Sequence, residues 1–572
     1  MTAVKQSVLV WFALLAGALA LGGCTANFYR KSADKEAAQV IAEKTPAVPN
    51  MDPHFTIEQT NAVALEGLPK IEQAEEFLGA EKKTELGASV VSLEKALESA
   101  VQHSREYQNQ KEIVYLQALS LTLDRHRYTP IFSSGANTAV QNQPQDVAKA
   151  IDQVAGTQTS LLQQGTEVVQ RYNATGRGST AVSVLLRSGA TLASSFTVDF
   201  LRFLNGDARW LVSSSLGATL TQPLLRGAGY RVTMENLTQA ERDLLYALRD
   251  FTQYRKDFAV RVAQSYYGVL QARDEARNQH LGYTKSVQNV TRGRALAQEG
   301  RTSQSELGQL EQEMLSAETQ WISAVRSYQQ GLDQFKILLG LPTEVRLVLD
   351  DRDLSDLKII HPDLSAEDAV KVALATRLDL QTVRDRKADA ARKVEVARNA
   401  LKPQVDLVFS TMVNNRPNTV DPFELDFQRV RANAGLSLDP GLDRKQQRNS
   451  YRAALIAKAR AERQCQLQED QAKLQIYDDW RNLDQAKRNH EISELGVQLA
   501  QRRVEEQELL AELGRGQARD LLEAQRALIS SRNSRTSAVV RHTLARLQFW
   551  RDMGILFIKE NGKWEEVANA KQ

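Results

Sequence analysis

Cysteine is almost absent. Cys24 and Cys465 are the only two in 572 residues, and they lie far apart, so neither a disulfide framework nor a thiolate metal site can be built from them. Cys465 falls in the helical run 461–465 and reads as an incidental helix residue. The seven histidines (His54, His103, His126, His280, His361, His490, His542) are scattered without metal-ligand spacing. Nucleophile elbows and phosphate-cradling glycine loops are also missing, so the chain is read as a non-enzyme with no cofactor and no metal. Charge of one sign is lacking too: 73 Lys and Arg stand against 70 Asp and Glu, which leaves no basic footprint for nucleic acid. Only 13 prolines occur, most of them outside the long periodic stretches, and this favours long helices over a compact mixed domain. Beyond the first 23 residues no apolar run is long enough for a membrane helix. Any passage through a membrane must then be made by strands.

What is present begins at the N-terminus. Lys5 precedes an uncharged apolar stretch, residues 8–21, which ends in Leu21-Gly22-Gly23-Cys24. The length suits a secretory signal (1–23), and the closing tetrad resembles a bacterial lipobox, which implies that Cys24 is acylated. Thr25, rather than Asp, implies the outer membrane. One acylated cysteine tethers a chain but spans nothing. Residues 24–90 are polar and interrupted by Pro46, Pro49 and Pro53, a leader or linker rather than a core.

An internal repeat follows. Glu94, Ala96 and Ala100 recur as Glu367, Ala369 and Ala373, and the same shift of 273 carries Pro130 onto Pro403. Further on, Gly300, Phe335 and Gly340 map to Gly514, Phe549 and Gly554 at a shift of 214. This divides the chain into a first copy (91–345), a second (346–557) and a tail (558–572) that is expected to pack at mid-height. Pro130 and Pro223 are 93 residues apart and Pro403 and Pro440 only 37, so the first copy carries an insertion in its extended region. The insertion, about 140–180, is polar and rich in glutamine, and is expected as an extracellular loop or a partly helical excursion.

Each copy reads as helix, strands, long helix, turn, helix. In 232–298, Leu248, Phe251, Phe258, Val262 and Val269 fall on three- and four-residue steps, with Arg255 and Ser265 filling gaps in the seam. At the α-helical rise this stretch spans on the order of 100 Å, and the runs 93–128 and 303–340 stacked end to end reach about as far. In the extended regions Val405, Leu407 and Phe409 alternate with Gln404, Asp406 and Val408, and 431–438 alternates similarly. Residues 194–200 and 211–216 look like a hairpin. Two hairpins make four strands, too few to close a barrel in one chain, so strands that enter a membrane require several copies.

With its duplicated plan, the run Gln222-Pro223-Leu224-Leu225-Arg226-Gly227 after the first hairpin, the paired glycine turns and the leader Tyr29-Arg30-Lys31-Ser32-Ala33-Asp34-Lys35-Glu36, the sequence resembles the TolC-like outer membrane efflux proteins over about 90–557. The resemblance implies a mainly α chain with a small β part. It also implies a homotrimer with a long periplasmic α-barrel and a 12-stranded outer-membrane β-barrel, four strands per chain. The partners implied are a periplasmic adaptor, through it an inner-membrane transporter, and outer-membrane lipid.

Two turns stand out. Gly300-Arg301-Thr302-Ser303-Gln304-Ser305-Glu306-Leu307 and Gly514-Arg515-Gly516-Gln517-Ala518-Arg519-Asp520-Leu521 each place a carboxylate six residues after a glycine and a leucine seven after it. As local structure this is helix punctuation, with Ser303 and Glu306 forming a capping box. The resemblance implies more: the turns form the periplasmic tip where an adaptor docks, with Gly300 and Gly514 shaping it and Arg301, Glu306 and Arg515 available for contact. Asp520 and Glu523 share a helix face. The resemblance implies that they line a periplasmic gate, six carboxylates in a trimer; the alternative is a solvated helix face. The rival reading of the whole chain, a lipid-tethered periplasmic coiled-coil scaffold, accounts for the helices and the lipid but not for the duplicated strands.

Overall fold

A computed structural model describes residues 25–58, 67–73, 75–149, 165–204, 210–417, 419–513 and 515–565. The signal segment, Cys24 and Gly514 lie outside these residues. The described chain is mostly helical and falls into two compact units.

The first unit takes in Met1–Leu119, Asp243–Asp385 and Glu462–Gln572. The main helices of the described chain are α1 (Ala26–Lys44), α2 (Leu93–His103), α3 (Arg105–His126), α4 (Glu235–Gln298), α5 (Gln304–Leu339), α6 (Ala366–Thr376), α7 (Leu378–Asn399), α8 (Lys445–Glu512) and α9 (Ala518–Asp552), of which α3, α4, α7 and α8 include residues of the second unit. The two longest, α4 and α8, contain no proline, so nothing removes a backbone donor along them. Leu248, Phe251, Phe258, Val262 and Val269 are all buried along α4, as the spacing predicts. Arg255 is buried among them because its guanidinium donates to the carbonyls of Asn50, Ile558 and Lys559. A desolvated cation is tolerable only with such acceptors.

Helix boundaries recur at matched positions. The Ser92 hydroxyl caps α2 and the Ser365 hydroxyl caps α6, each accepting from the backbone three residues on. Gly340, at φ +78°, ends α5 against the His103–Ser104 backbone, and Gly554, at φ +81°, follows α9 against Thr376–Arg377. At Gly340 no side chain fits, and at Gly554 a Cβ would press on Thr376 Oγ1.

The leader is not a loose linker. Ala37, Val40, Ile41, Val48, Phe77 and Leu78 are buried. A short strand, Ser89–Val91, pairs in parallel with Leu347–Leu349. The tail doubles back as a two-stranded turn, Phe557–Ile558 against Trp564–Glu565, and the Asn50 side chain binds both the N–H and the carbonyl of Ile558.

The second unit, Ser120–Arg242 and Arg386–Ala461, carries a sheet. Its strands, numbered apart from the short pairs, are β1 (Ile131–Lys149), β2 (Gly165–Leu185), β3 (Thr191–Phe203), β4 (Trp210–Pro223), β5 (Gln404–Asn414) and β6 (Arg431–Asp439). They pair in that order, every pairing antiparallel. The expectation of four strands per chain is therefore corrected: the described residues form a sheet of six. The inserted residues are neither a simple loop nor helical in their described part. They extend β1 and form most of β2, so that the first copy carries four strands, β1 to β4, against two in the second, and β1 and β5 start directly after the matched Pro130 and Pro403.

Candidate functional site

The register of the six strands sorts their side chains onto two faces. Residues paired across antiparallel strands point the same way, and alternate residues point oppositely. Phe132 pairs with Val182, Val182 with Ser194, Phe196 with Leu216, Leu220 with Phe409, and Leu407 with Leu436. One face thus carries Phe132, Val140, Val182, Leu192, Phe196, Phe200, Leu216, Leu220, Phe409, Leu407, Leu436 and Leu438, and it reaches both edge strands. The opposite face carries Ser133, Asn137, Arg177, Ser179, Thr197, Asp199, Ser215, Thr219, Asp406, Ser410 and Asn433, with Arg177 and Asp199 paired at 3.2 Å.

The apolar face is left uncovered in this chain. Phe132 is 80% exposed and Leu436 and Leu438 are each 64% exposed. Such a contiguous apolar surface on an otherwise polar chain marks contact with lipid or with protein. Exposed Phe423 and Phe427 sit in the loop between β5 and β6, and Phe423 stacks on Phe196 with centroids 5.7 Å apart. Aromatic rings at one end of an apolar band suit a membrane interface. No helix among the described residues is long and apolar enough to cross a membrane.

The sequence-predicted turns lie in the first unit. At the first, Gly300 has φ +70° and open space around it, and the Arg301 amide donates to the Leu296 carbonyl at 2.9 Å. Ser303 and Glu306 form the reciprocal capping box. Glu306 is therefore engaged in holding the start of α5, and Arg301 stays exposed beside Glu299. At the second turn Arg515 and Gly516 both donate to the Leu510 carbonyl, and a side chain at Gly516 would meet the Ala511 backbone. Asp520 lies in the first turn of α9, where the helix dipole favours a carboxylate. Glu523 is exposed, and Arg503 of α8 donates to it at 3.0 Å.

Within the same unit α4, α5, α8 and α9 enclose an open cleft of about 1080 Å³ lined by Gln279, Asn482, Gln485, Asn489, Gln525 and Arg541. Amides dominate this lining. With the serines beside them, they make it a polar surface that water wets.

Other groupings escape sequence reasoning because their members are distant in the chain. Buried Arg273 joins Glu85 at 3.0 Å and Asp351 at 2.6 Å, and Tyr328 donates to Glu85 at 2.7 Å. Burial, then the Glu85 carboxylate, holds the Tyr328 phenol well above its usual range. His542 is wholly buried, its ring 6.1 Å from that of His361, and burial followed by the Arg546 charge lowers it to about 4. Asp52, His54 and Glu560 gather at the surface, with His54 Nδ1 3.0 Å from Glu560. This is the one grouping with metal-ligand chemistry among the described residues, and it is open to solvent.

No family model and no curated protein matches the chain. Solved structures do. The CmeC outer membrane channel of Campylobacter jejuni aligns with 91% of this chain and 97% of its own, at 13% identity and a TM-score of 0.58. The outer membrane protein VceC of Vibrio cholerae aligns with 81% of this chain and 96% of its own, at 13% identity and a TM-score of 0.56. The open state of the MtrE outer membrane channel of Neisseria gonorrhoeae aligns with 81% and 89%, at 13% identity and a TM-score of 0.55. The likeness is one of fold: this chain has the fold of these outer-membrane channels.

Proposed function

We propose that the protein is the outer-membrane exit duct of a tripartite efflux or type I secretion system, a passive conduit formed by three copies and tethered through Cys24. The observation that carries this reading is the single apolar face running across all six strands, joined to a fold shared with outer-membrane channels. A lipid-tethered coiled-coil scaffold has no use for such a face. The strands enter the membrane apolar side outward, since hydrocarbon accepts only fully paired backbone in helices or closed barrels. Helices from the duplicated copies then make the periplasmic wall.

In this reading the turns at Gly300–Arg301 and Gly514–Arg515 dock a periplasmic adaptor, through which an inner-membrane transporter delivers cargo. Asp520 and Glu523 crowd a closed aperture, and adaptor binding relieves the crowding by changing helix packing. Glu523 contributes less repulsion than Asp520, because Arg503 offsets its charge.

The test is negative-stain electron microscopy of the detergent-purified mature protein. Threefold cylinders about 100 Å or more long, with a detergent belt at one end, are expected. Monomeric rods without a belt would overturn the proposal.

A further inference from the structure

Resting on that reading, we infer that all six strands of each copy enter the barrel, so that three copies close it with eighteen strands rather than the twelve implied by resemblance. The barrel segment is then about half again as wide, and it admits cargo about as thick as two helices side by side.

Three observations point here. First, the added strands share the amphipathic pattern. On β2, Ala174, Gly176, Gly178, Thr180, Val182 and Val184 lie on the apolar face, with no charge among them. The alternate positions hold Thr175, Arg177 and Ser183, so β2 is wet on one side and dry on the other like its neighbours. A strand lying outside the barrel as an extracellular excursion has no reason to keep that register.

Second, the inserted pair crosses the full height of the sheet. The turn joining β2 to β3 is built into the connection that follows β4. Gly229 donates to the Ser188 carbonyl at 3.1 Å, and the Ser188 hydroxyl donates to Gln222 Oε1 at 3.1 Å. Gly189 has φ +94°, and a Cβ there would stand 2.7 Å from the Gly227 carbonyl. This is a packed turn that admits only glycine, not the tip of a loose loop.

Third, the two edges fit each other. Five successive antiparallel pairings leave β1 and β6 running in opposite directions. The β6 edge of one copy can therefore pair antiparallel with the β1 edge of the next, and any number of copies keeps the strand total even. Six strands fall short of the eight found in the smallest outer-membrane barrels, so one copy does not make such a barrel alone. The occupant of each edge is a second copy of this chain.

Strands about 4.8 Å apart and tilted about 40° give a backbone diameter of roughly 36 Å for eighteen and roughly 24 Å for twelve. With inward side chains subtracted, about 25 Å and about 13 Å remain, against about 11 Å for one helix with its side chains.

Electron cryomicroscopy of the full-length lipidated protein in detergent tests this. Three copies with eighteen strands are expected. Three copies closed by twelve strands, with β2 and β3 outside the wall, overturn this inference and leave the exit duct standing. Two copies forming a twelve-stranded barrel overturn it as well, while rods without a belt remove both readings. A pair of variants gives an independent readout. Thr180→Arg, in mid-strand on the apolar face, is expected to reduce the heat-modifiable assembled species at least tenfold, while Ala181→Arg on the polar face leaves it near wild type. Equal assembly of the two variants overturns the inference.

Discussion

Four glycines separate backbone conformation from available space, and the structure ranks them. Gly496 lies inside α8 with nothing near its missing Cβ, so Gly496→Ala is expected to stabilise by about 0.5–1 kcal/mol through lost unfolded-state entropy. Gly300 is equally open but has φ +70°, so Gly300→Ala is expected to cost about 1–2 kcal/mol of left-handed strain. Gly554 adds closeness: its Cβ would lie 2.9 Å from Thr376 Oγ1 and 3.3 Å from the Arg377 amide nitrogen. A hydroxyl can rotate away, so the cost rises only to about 2–3 kcal/mol. At Gly340 the Cβ would lie 2.0 Å from the His103 carbonyl oxygen and 2.9 Å from the Ser104 nitrogen, and backbone cannot rotate away. Strain and displacement together give about 3–4 kcal/mol. Urea midpoints followed by far-UV circular dichroism at one protein and detergent concentration give the order 496, 300, 554, 340, from gain to largest loss. A Gly340→Ala variant no worse than Gly300→Ala would refute the argument that the α2–α3 junction is pressed against this cap.

Further expectations follow from single groups. Arg273→Met leaves the buried Glu85 carboxylate without its cation and should cost about 3–5 kcal/mol, largely recovered in the Arg273→Met, Glu85→Gln double variant, read by the same urea midpoints. Burial, then the neighbouring Asp552 carboxylate, pushes Asp479 up to about 7. Because the folded value exceeds the 3.8 of an ordinary aspartate, this group supports the fold at low pH, and that support fades as pH rises through about 7. Asp479→Asn should therefore flatten the pH slope of stability between about 4 and 7 and gain roughly 1–2 kcal/mol at pH 8, discounted for partial exposure; an unchanged slope would count against it. In planar bilayers Asp520→Asn should lower resting conductance several-fold more than Glu523→Gln, since relieving the repulsion lets the aperture stay closed and Arg503 already offsets Glu523; equal effects would remove the electrostatic account of the gate.

Much of the helical unit is legible because helix period and burial are local facts. The five apolar seam positions of α4 are buried, and the Ser303–Glu306 cap forms where the spacing places it. Arg255 looked like a flaw in the seam. Its acceptors are the carbonyls of Asn50, Ile558 and Lys559, which come from both ends of the chain, and no local pattern could announce them. The same distance in sequence hides the Arg273–Glu85–Asp351 group and the His361–His542 pair. A leader that looks polar nevertheless buries Phe77 and Leu78, whose apolar content is too brief to register as a core segment.

The sheet was legible in part, and the missed part has a physical cause. The segments at 194–200, 211–216 and 404–409 alternate large apolar with polar residues, and they form β3, β4 and β5. On β1 and β2 the apolar face is made by alanine, glycine and threonine as much as by Phe132 and Val182, and such residues carry little periodic contrast in hydropathy. Their face becomes visible only through pairing: Gly178 stands opposite Val198, and Gly176 stands opposite Phe200. Small residues beside large ones fill the same apolar layer, so strand identity here resides in the register with the neighbours and not in the strand's own alternation. A glutamine-rich insertion therefore read as a loop, although residues within it were placed to complete the apolar face of the sheet.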